Sequence, residues 1–396
     1  MKDFPIIRLR DDIAAIKNGI YMNNAGASLR PRGVTQIVQD YLNFEDQIGG
    51  HRAAEFKKIE IANVYTSIAT LLNASVDEIA LMESQTIAWH ACLSAFDFNP
   101  GDEIIISRAE YISGIMAVME LRQRAGVIVH IIDYDDAGLI DLQQLEKHLS
   151  AKTRLVCLTH ISTSNGQVHP VTEAGTIINN NSDAFYVLDA CQSIGGRVVD
   201  VEKIGCHALT ATGRKYLRGP RGTGFLYVKK SWQHRLRPRF PDGHKASINS
   251  GGDISLNNNA TRFETYEKSF ANVLGLGAAI DYALDVGLDE IANRIHQLST
   301  HFITGLNAID GIVVGEKIHT ASGIITISSD RLAENNIYDQ LMENNVICKF
   351  INSNGGAWDT KARGRGDVVR LSLHYFNTGD ECDVVCELLS TILHAS

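Results

Sequence analysis

The sequence predicts an α/β protein built on a mainly parallel sheet with helices on both faces. Short apolar runs typical of buried strands recur between residues 103 and 228, separated by stretches with helical periodicity. Parallel strands need long crossover connections, which are usually helices, so this alternation favours a parallel sheet covered on both sides. The chain has 396 residues, and we therefore expect one large domain with a smaller α/β domain appended.

The large domain is expected at residues 21–280, after an N-terminal arm (residues 1–20) that packs with the smaller domain. Met22–Ala27 is a polar turn of small residues, which suits a position beside a ligand. Apolar residues from Val34 to Asp46 recur with the period of a helix. The predicted strands are Glu103–Ser107, Val127–Ile132, Arg154–Thr159, Phe185–Leu188, Ala208–Ala211 and Gly224–Val228.

The smaller domain is expected at residues 281–396. Pro241–Asn259 is rich in Gly, Ser and Asn and predicts a long loop, a feature that is often functional in compact domains. A long helix from Asn272 leads out of the large domain. The predicted strands beyond it are Ile312–Val314, Ile324–Ile327, Val346–Phe350 and Val368–Leu373.

The composition favours a metabolic enzyme. A net charge of −9 argues against nucleic acid or an anionic membrane as the main partner. The first twelve residues carry acids where a secretory signal has an apolar core, and no apolar run is long enough to span a bilayer. The seven cysteines include no Cys-x-x-Cys pair, which predicts reduced thiols and no zinc site. We therefore expect a cytoplasmic enzyme with no metal.

Lys215 is the most informative residue. It lies in the glycine-rich segment Thr212–Gly224, downstream of Asp189, which ends the apolar run Ala184–Leu188. Residues at the carboxyl ends of strands in open α/β sheets face the ligand crevice. A lysine can hold the aldehyde of pyridoxal 5′-phosphate (PLP) as a Schiff base, and a carboxylate at the pyridine nitrogen makes the ring an electron sink. The pair predicts a PLP enzyme; a surface lysine and a helix-capping carboxylate are the structural alternatives.

The motifs resemble those of the class V aminotransferases of fold type I, which include cysteine desulfurases, selenocysteine lyases, kynureninase and isopenicillin N epimerase. Asp189–Gln192 is similar to the family's Asp-x-x-Gln, and Thr212–Lys215 to its Ser-x-His-Lys, with arginine replacing histidine. Arg214–Leu217, followed by Gly219–Gly222, resembles the branch that contains the hercynylcysteine sulfoxide C–S lyase of ergothioneine biosynthesis. The resemblance spans nearly the whole chain and implies a homodimer with the active site near the interface.

The resemblance also implies which residues bind PLP. Gln192 would bond the phenolate oxygen, and Tyr111 stands where the family has a histidine that stacks on the ring. A helix N-terminus after Glu83 would offer free N–H groups to the phosphate. The predicted phosphate contacts are Ser84, Gln85, Thr212 and Arg214. Simple N-capping and a core tyrosine are the alternatives.

The expected substrate is an amino acid. Arg370 matches the family arginine that grips the α-carboxylate, a task for which a rigid guanidinium fork is suited; an interdomain ion pair is the alternative. Asn23 and Asn24 would line the substrate side. His51 is a weaker candidate, and a solvated loop histidine is the favoured interpretation.

Two segments depart from the family pattern. Desulfurases carry a mobile cysteine in a loop that corresponds to Asn352–Asp359, which contains none, while Cys348 falls within the predicted strand Val346–Phe350. Arg262–Glu267 matches only half of the family's partner-chain phosphate segment. The missing cysteine argues against persulfide chemistry, and we favour β-elimination from an S-substituted cysteine or its sulfoxide. The threonine contact that the family makes through the second segment is not expected here.

Several other activities stay open at this stage. Transamination is the main alternative within PLP chemistry, beside a desulfurase-like reaction. A protein of another class would use Gly219–Gly224 as a nucleotide cradle, although no lysine closes that loop in the pattern Gly-x-x-x-x-Gly-Lys-[Ser/Thr].

Overall fold

A computed structural model describes residues 4–353 and 366–394 of the chain. Its helices are α1 (Ile6–Asp11), α2 (Arg32–Ile48), α3 (Gly50–Phe56), α4 (Lys58–Leu72), α5 (Gln85–Leu93), α6 (Ile112–Ala125), α7 (Leu142–His148), α8 (Val171–Asn181), α9 (Val201–Ile204), α10 (Lys230–Gln233), α11 (Phe270–Val286), α12 (Leu288–Asn307), α13 (Glu334–Glu343) and α14 (Gly379–His394). Its strands are β1 (Ile20–Tyr21), β2 (Ile79–Met82), β3 (Glu103–Ser107), β4 (Ile128–Ile132), β5 (Thr153–Thr159), β6 (Phe185–Asp189), β7 (Ala208–Thr212), β8 (Gly224–Val228), β9 (Ala246–Ile248), β10 (Ile254–Leu256), β11 (Ile312–Val314), β12 (Ile324–Ser329), β13 (Val346–Ile347), β14 (Lys349–Ile351) and β15 (Val368–Ser372).

The central sheet has seven strands in the order β2-β8-β7-β6-β5-β3-β4. Strands β4, β3, β5, β6 and β7 run parallel, and β8 is antiparallel to both of its neighbours. The prediction of a mainly parallel sheet is confirmed, and each of the six predicted strands lies within one residue of its expected bounds at either end. The sequence analysis missed β2.

Both faces of this sheet are buried. Along β6, Tyr186 and Leu188 pack into one apolar cluster with side chains of α4, α8 and α11. Phe185 and Val187 pack into a second cluster with side chains of α5 and α6. Each fully buried apolar side chain of this size contributes about 1.5–3 kcal/mol. The alternation of side chains along the strand thus holds helices on both faces, as predicted.

A second sheet, antiparallel and of four strands, lies near the C-terminus in the order β11-β12-β15-β14. Helices α12, α13 and α14 pack on it through residues such as Phe302, Leu341 and Leu389. The single strand predicted at Val346–Phe350 is wrong in one respect, because the chain changes partner at Cys348. Strand β13 pairs with β1 of the N-terminal arm, whereas β14 pairs with β15.

The N-terminal arm contacts the C-terminal part of the chain. Arg10 forms an ion pair with Glu381 at 2.7 Å and donates to the carbonyl of Phe376 at 2.7 Å.

Helix α11 ends at Val286, and Gly287, with φ +93°, separates it from α12. The expected boundary at residue 280 falls inside α11, and the division into domains stays a prediction.

The loop predicted at Pro241–Asn259 contains a hairpin, β9–β10. Its turn is set by Asn249, whose side chain accepts from the N–H groups of Gly251 and Asp253, and by Gly252 at φ +90°.

Over residues 4–353 and 366–394, no single helix is long and apolar enough to cross a bilayer. Helices α11 and α12 reach the required length and hydropathy only as a pair bent by 76°.

Candidate active site

A cavity of about 770 Å³ lies where the carboxyl ends of the central strands meet the second sheet. Thr159, Asp189 and Thr212 end strands β5, β6 and β7 and all line it. This is the position at which open α/β sheets bind ligands. The cavity brings together nine of the predicted site residues: Ser84, Gln85, Tyr111, Asp189, Gln192, Thr212, Arg214, Lys215 and Arg370.

Lys215 follows β7 in a loop that closes tightly on itself. A Cβ on Gly213 would lie 2.3 Å from Thr223 Oγ1, so only glycine permits this approach, and the Gly213 carbonyl accepts from the N–H of Gly219 at 2.8 Å. The lysine amine lies 6.0 Å from the ring centre of Tyr111. Burial lowers the pKa of Lys215, which raises the fraction of neutral amine near neutral pH.

Asp189 is buried at the end of β6. One carboxylate oxygen accepts the N–H of Cys191 at 2.8 Å, and the other accepts from the side chain of Gln85 at 3.0 Å. Burial raises the pKa of Asp189, although the charge of Lys215 acts in the opposite direction. Within the described part of the chain no cation forms an ion pair with this carboxylate. A protonated pyridine nitrogen is the kind of group that would stabilise its charge.

The side chain of Gln85 was expected to contact the phosphate, but it donates a hydrogen bond to Asp189 instead. Helix α5 begins at Gln85, and Ser84 Oγ caps it by accepting the N–H of Ile87 at 3.2 Å. The backbone N–H groups of Gln85 and Thr86 have no acceptor within the helix and lie at the cavity. A Cβ on Gly224 would lie 2.9 Å from the carbonyl carbon of Ser84, so glycine there lets α5 begin against β8.

Arg214 and Thr212 lie at the same cavity. Arg214 is partly exposed and forms no ion pair among the described residues. Thr212 donates its hydroxyl to the carbonyl of Thr223 at 3.2 Å. Together with the start of α5, the guanidinium provides the positive charge and N–H donors that a phosphate requires.

Arg370 is buried on β15 and has only neutral acceptors. Its Nη1 donates to the carbonyl and hydroxyl of Thr163 at 3.0 and 2.8 Å, and its Nη2 donates to Asn23 Oδ1 at 3.3 Å. Its Nε has no partner. The edge formed by Nε and Nη2 thus keeps two N–H donors, the number that a carboxylate accepts in bidentate fashion. Burial lowers the pKa of Arg370 to about 10, which still leaves it charged at neutral pH.

Gln192 is held beside Arg370. Its Nε2 donates to the carbonyl of Ala25 at 3.1 Å and to Thr163 Oγ1 at 2.9 Å, while its buried Oε1 has no partner. Both N–H groups of the amide are therefore engaged. A donor to a phenolate oxygen would have to come from a change in these bonds or from the Thr163 hydroxyl.

Three predicted substrate residues do not line the cavity. Asn24 is fully buried, donates to the Ser372 carbonyl at 2.7 Å and accepts from Ser28, so it ties the N-terminal turn to β15. Asn23 orients Arg370. His51 lies on α3, exposed, 3.2 Å from the hydroxyl of Tyr266. Within a single chain His51 does not reach the cavity, and its substrate role stays a prediction.

Three residues that the sequence analysis did not select also line the cavity: Glu110, Thr163 and Lys349. Glu110 accepts from the hydroxyls of Ser107 and Thr159 at 2.7 and 2.8 Å, and burial raises its pKa to about 8. The acid next to Tyr111 was an available signal for Glu110, and the polar residues that follow β5 were an available signal for Thr163.

Two other expectations change. Gly219–Gly224 joins the antiparallel strands β7 and β8 and leads into no helix, so the nucleotide-cradle alternative is wrong.

In Arg262–Glu267, Glu264 is buried and accepts from the N–H of Leu81 at 2.9 Å and from Tyr65, which makes it a structural residue of this chain. Residues 354–359 of the expected cysteine-free loop lie outside the described residues.

Comparisons with known proteins agree with this geometry. A family model described as aminotransferase class-V matches residues 20–385. A probable cysteine desulfurase of Methanothermobacter thermautotrophicus is 29% identical over 392 residues, covering 97% of each chain.

Solved structures share the fold. The apo structure of a cysteine desulfurase from Thermococcus onnurineus NA1 superposes with a TM-score of 0.92 at 23% identity, covering 100% of both chains. A mutant of C-DES, a cystine C–S lyase, superposes with a TM-score of 0.86 at 22% identity over 96% of this chain and 98% of its own. That structure contains glycine covalently linked to the PLP cofactor.

Proposed function

We propose that this chain, which belongs to the aminotransferase class-V family, is a C–S β-lyase that acts on an S-substituted cysteine or cysteine sulfoxide. It is an enzyme of the fold-type I class, and its cofactor is PLP. One observation carries the proposal: Lys215, Asp189 and Arg370 line a single cavity. The thiol-free sequence Asn352–Asp359 supports direct release of the sulfur fragment.

The described residues fit PLP. The buried carboxylate of Asp189 has no cationic partner among them, the Thr163 hydroxyl beside Gln192 keeps a proton to donate, and the start of α5 presents free N–H groups at the cavity that Arg214 also lines. When bound, PLP supplies the electron sink that stabilises the carbanion formed when Cα loses its proton. The residues that we propose hold it are Lys215 (covalently), Asp189, Gln192, Tyr111, Arg214, Thr212, Ser84 and the backbone of Gln85.

The residues of the chain would act on the substrate in sequence. Arg370 would bind the α-carboxylate through its free Nε and Nη2 edge and so fix the position of Cα. Lys215, with its lowered pKa, would accept the Cα proton at Nζ. The Cβ–S bond then breaks, and its electron pair leaves with the sulfur fragment. The aminoacrylate that is released adds water and yields pyruvate and ammonia.

A desulfurase is the second candidate, favoured by the name of the relative from M. thermautotrophicus. Against it, the cysteine at the cavity, Cys191, is fixed directly after β6, and burial raises the pKa of its thiol. A buried thiol that stays protonated is a poor nucleophile for sulfur. Transamination stays the third possibility.

We further propose a cytoplasmic homodimer with the active site near the subunit interface. Phe56 on α3, Phe240 and Ile248 on β9 are 63%, 87% and 70% exposed. Exposed apolar side chains mark a protein interface when they form a contiguous patch, and we propose that these three lie in the subunit interface. A second chain would also offer His51 a route to a neighbouring cavity.

The test is a screen of the holoenzyme with cysteine, S-substituted cysteines, cysteine sulfoxides and common amino acids. Formation of pyruvate and ammonia in equal amounts from S-substituted cysteines, with no accumulation of the pyridoxamine form of the cofactor, is the expected result. Alanine formation with enzyme-bound sulfur supports the desulfurase instead. Conversion of the cofactor to its pyridoxamine form supports transamination.

A further inference from the structure

Lys349 and Arg370 face each other across the antiparallel strands β14 and β15. The register pairs their Cα atoms, and both residues line the cavity. Directly opposed residues of an antiparallel pair project to the same face with Cβ atoms about 4.5–5.5 Å apart. Like charges in this arrangement destabilise a sheet unless an anion neutralises them.

No acid in the described part of the chain forms an ion pair with either cation. Arg370 donates to neutral acceptors, and Lys349 is exposed at the cavity without an ion pair among these residues. The buried acids of the cavity are engaged elsewhere, Asp189 with Gln85 and Glu110 with two hydroxyls. The substrate end of the cavity therefore has more positive charge than one α-carboxylate neutralises.

We propose that Lys349 binds a second anionic group, carried by the side chain of the substrate. The preferred substrates would be S-substituted cysteines whose sulfur substituent ends in a carboxylate or a similar anion. Arg370 holds the α-carboxylate, and Lys349 lies one strand away, within the reach of a short side chain. The reaction assigned to these substrates rests on the proposed function. The anion-binding site itself rests on the register of β14 and β15.

Two probes of nearly equal shape test it: S-carboxymethyl-L-cysteine, which is anionic, and S-carbamoylmethyl-L-cysteine, its neutral amide. The holoenzyme should favour the anionic probe by about tenfold in kcat/KM, because a charge-assisted hydrogen bond is roughly twice as strong as a neutral one and the difference corresponds to about that factor in affinity. Lys349→Met should reduce this preference to below about threefold, and Lys349→Arg should retain it. Lys203→Met, which removes an exposed lysine that does not line the cavity, is the matched control and should keep the full preference.

Titration of the holoenzyme with each probe, followed through the absorbance of the cofactor, gives Kd values that do not depend on elimination. If neither probe yields pyruvate, the lyase function fails, while the ratio of Kd values still tests Lys349. Equal Kd values for the two probes in the wild-type protein would overturn the inference. So would a Lys349→Met protein that binds both probes more weakly by the same factor, since Lys349 would then serve the α-carboxylate.

Discussion

Arg370 and Thr163 are joined by two hydrogen bonds, from Nη1 of the guanidinium to the carbonyl and to the hydroxyl of the threonine, at 3.0 and 2.8 Å. The hydroxyl also accepts from Gln192 at 2.9 Å. With both of its acceptor positions occupied, the hydroxyl proton of Thr163 is left to donate into the cavity. The loop after β5 thus orients a substrate residue of the second sheet and a cofactor residue of the central sheet at once.

Replacing Arg370 with lysine should weaken substrate binding more than cofactor binding. A point charge loses the two-donor edge that matches a carboxylate, and charge-assisted hydrogen bonds are worth roughly 1.5–3 kcal/mol, so apparent affinity should fall by about tenfold or more. Substrate titrations and PLP titrations of the Arg370→Lys protein measure the two effects separately. Unchanged affinity for amino acids would show that Arg370 has a purely structural role.

Replacing Thr163 with valine should impair the site through its neighbours. Arg370 and Gln192 would each lose a hydroxyl partner while the backbone carbonyl bond to Arg370 remains, so we expect KM to rise by about threefold to tenfold and the unfolding free energy to fall by roughly 1–3 kcal/mol, the cost of an unpaired buried donor. Thr163→Ser keeps the hydroxyl and is the control. If the valine and serine proteins behave alike, the hydroxyl has no part in positioning.

Local patterns predicted the parts of the molecule that depend on local chemistry. The apolar runs of the central sheet, Asp189 at the end of β6 and Lys215 in the glycine-rich loop after β7 are each recognisable from a few neighbouring residues. The cavity also depends on pairings between distant segments: Asn24 bonds a carbonyl 348 residues away. Lys349 and Arg370 meet only through the register of β14 and β15. The hairpin β9–β10 was missed because each of its strands has only three residues and is largely exposed, which is too short for apolar alternation to be recognised.

Replacing Asp189 with alanine should leave Lys215 able to bind the cofactor but slow the loss of the Cα proton by about tenfold or more. Without the carboxylate, the pyridine nitrogen is not kept protonated and the ring is a poor electron sink. Exchange of the substrate Cα proton with deuterium, followed by NMR on PLP-loaded protein, measures this step directly. Borohydride reduction and peptide mapping provide the control, with the pyridoxyl group expected on Lys215 in both proteins. Near-normal exchange in a variant that retains PLP would contradict the proposed role.

Glu110 should make stability depend on pH. Its pKa is raised from 4.5 to about 8, chiefly by burial, so the folded protein retains a proton that the unfolded chain loses between these values. The contribution of Glu110 is therefore fully present below about pH 4.5 and is lost as the pH rises through about 8. Glu110→Gln removes this titration, and the difference in unfolding free energy between variant and wild type should grow in favour of the variant over that range. Urea unfolding of both holoproteins at several pH values measures it, and a pH-independent difference would contradict the raised pKa.

The sulfur fragment should leave the enzyme without binding covalently to a cysteine of the chain. Cys348 is buried between β13 and β14, and burial raises the pKa of its thiol to about 12, so it is neither mobile nor ionised at neutral pH. We expect Cys348→Ala to lose roughly 1 kcal/mol of unfolding free energy, as for the loss of a small buried side chain, while it keeps turnover of sulfur substrates. Cys191→Ala is the companion variant, because that thiol lies at the cavity itself. Mass spectrometry of the wild-type protein after turnover should find no substrate-derived sulfur on any cysteine. A Cys348→Ala protein that folds and binds PLP but cannot process a sulfur substrate would overturn the lyase assignment in favour of a desulfurase.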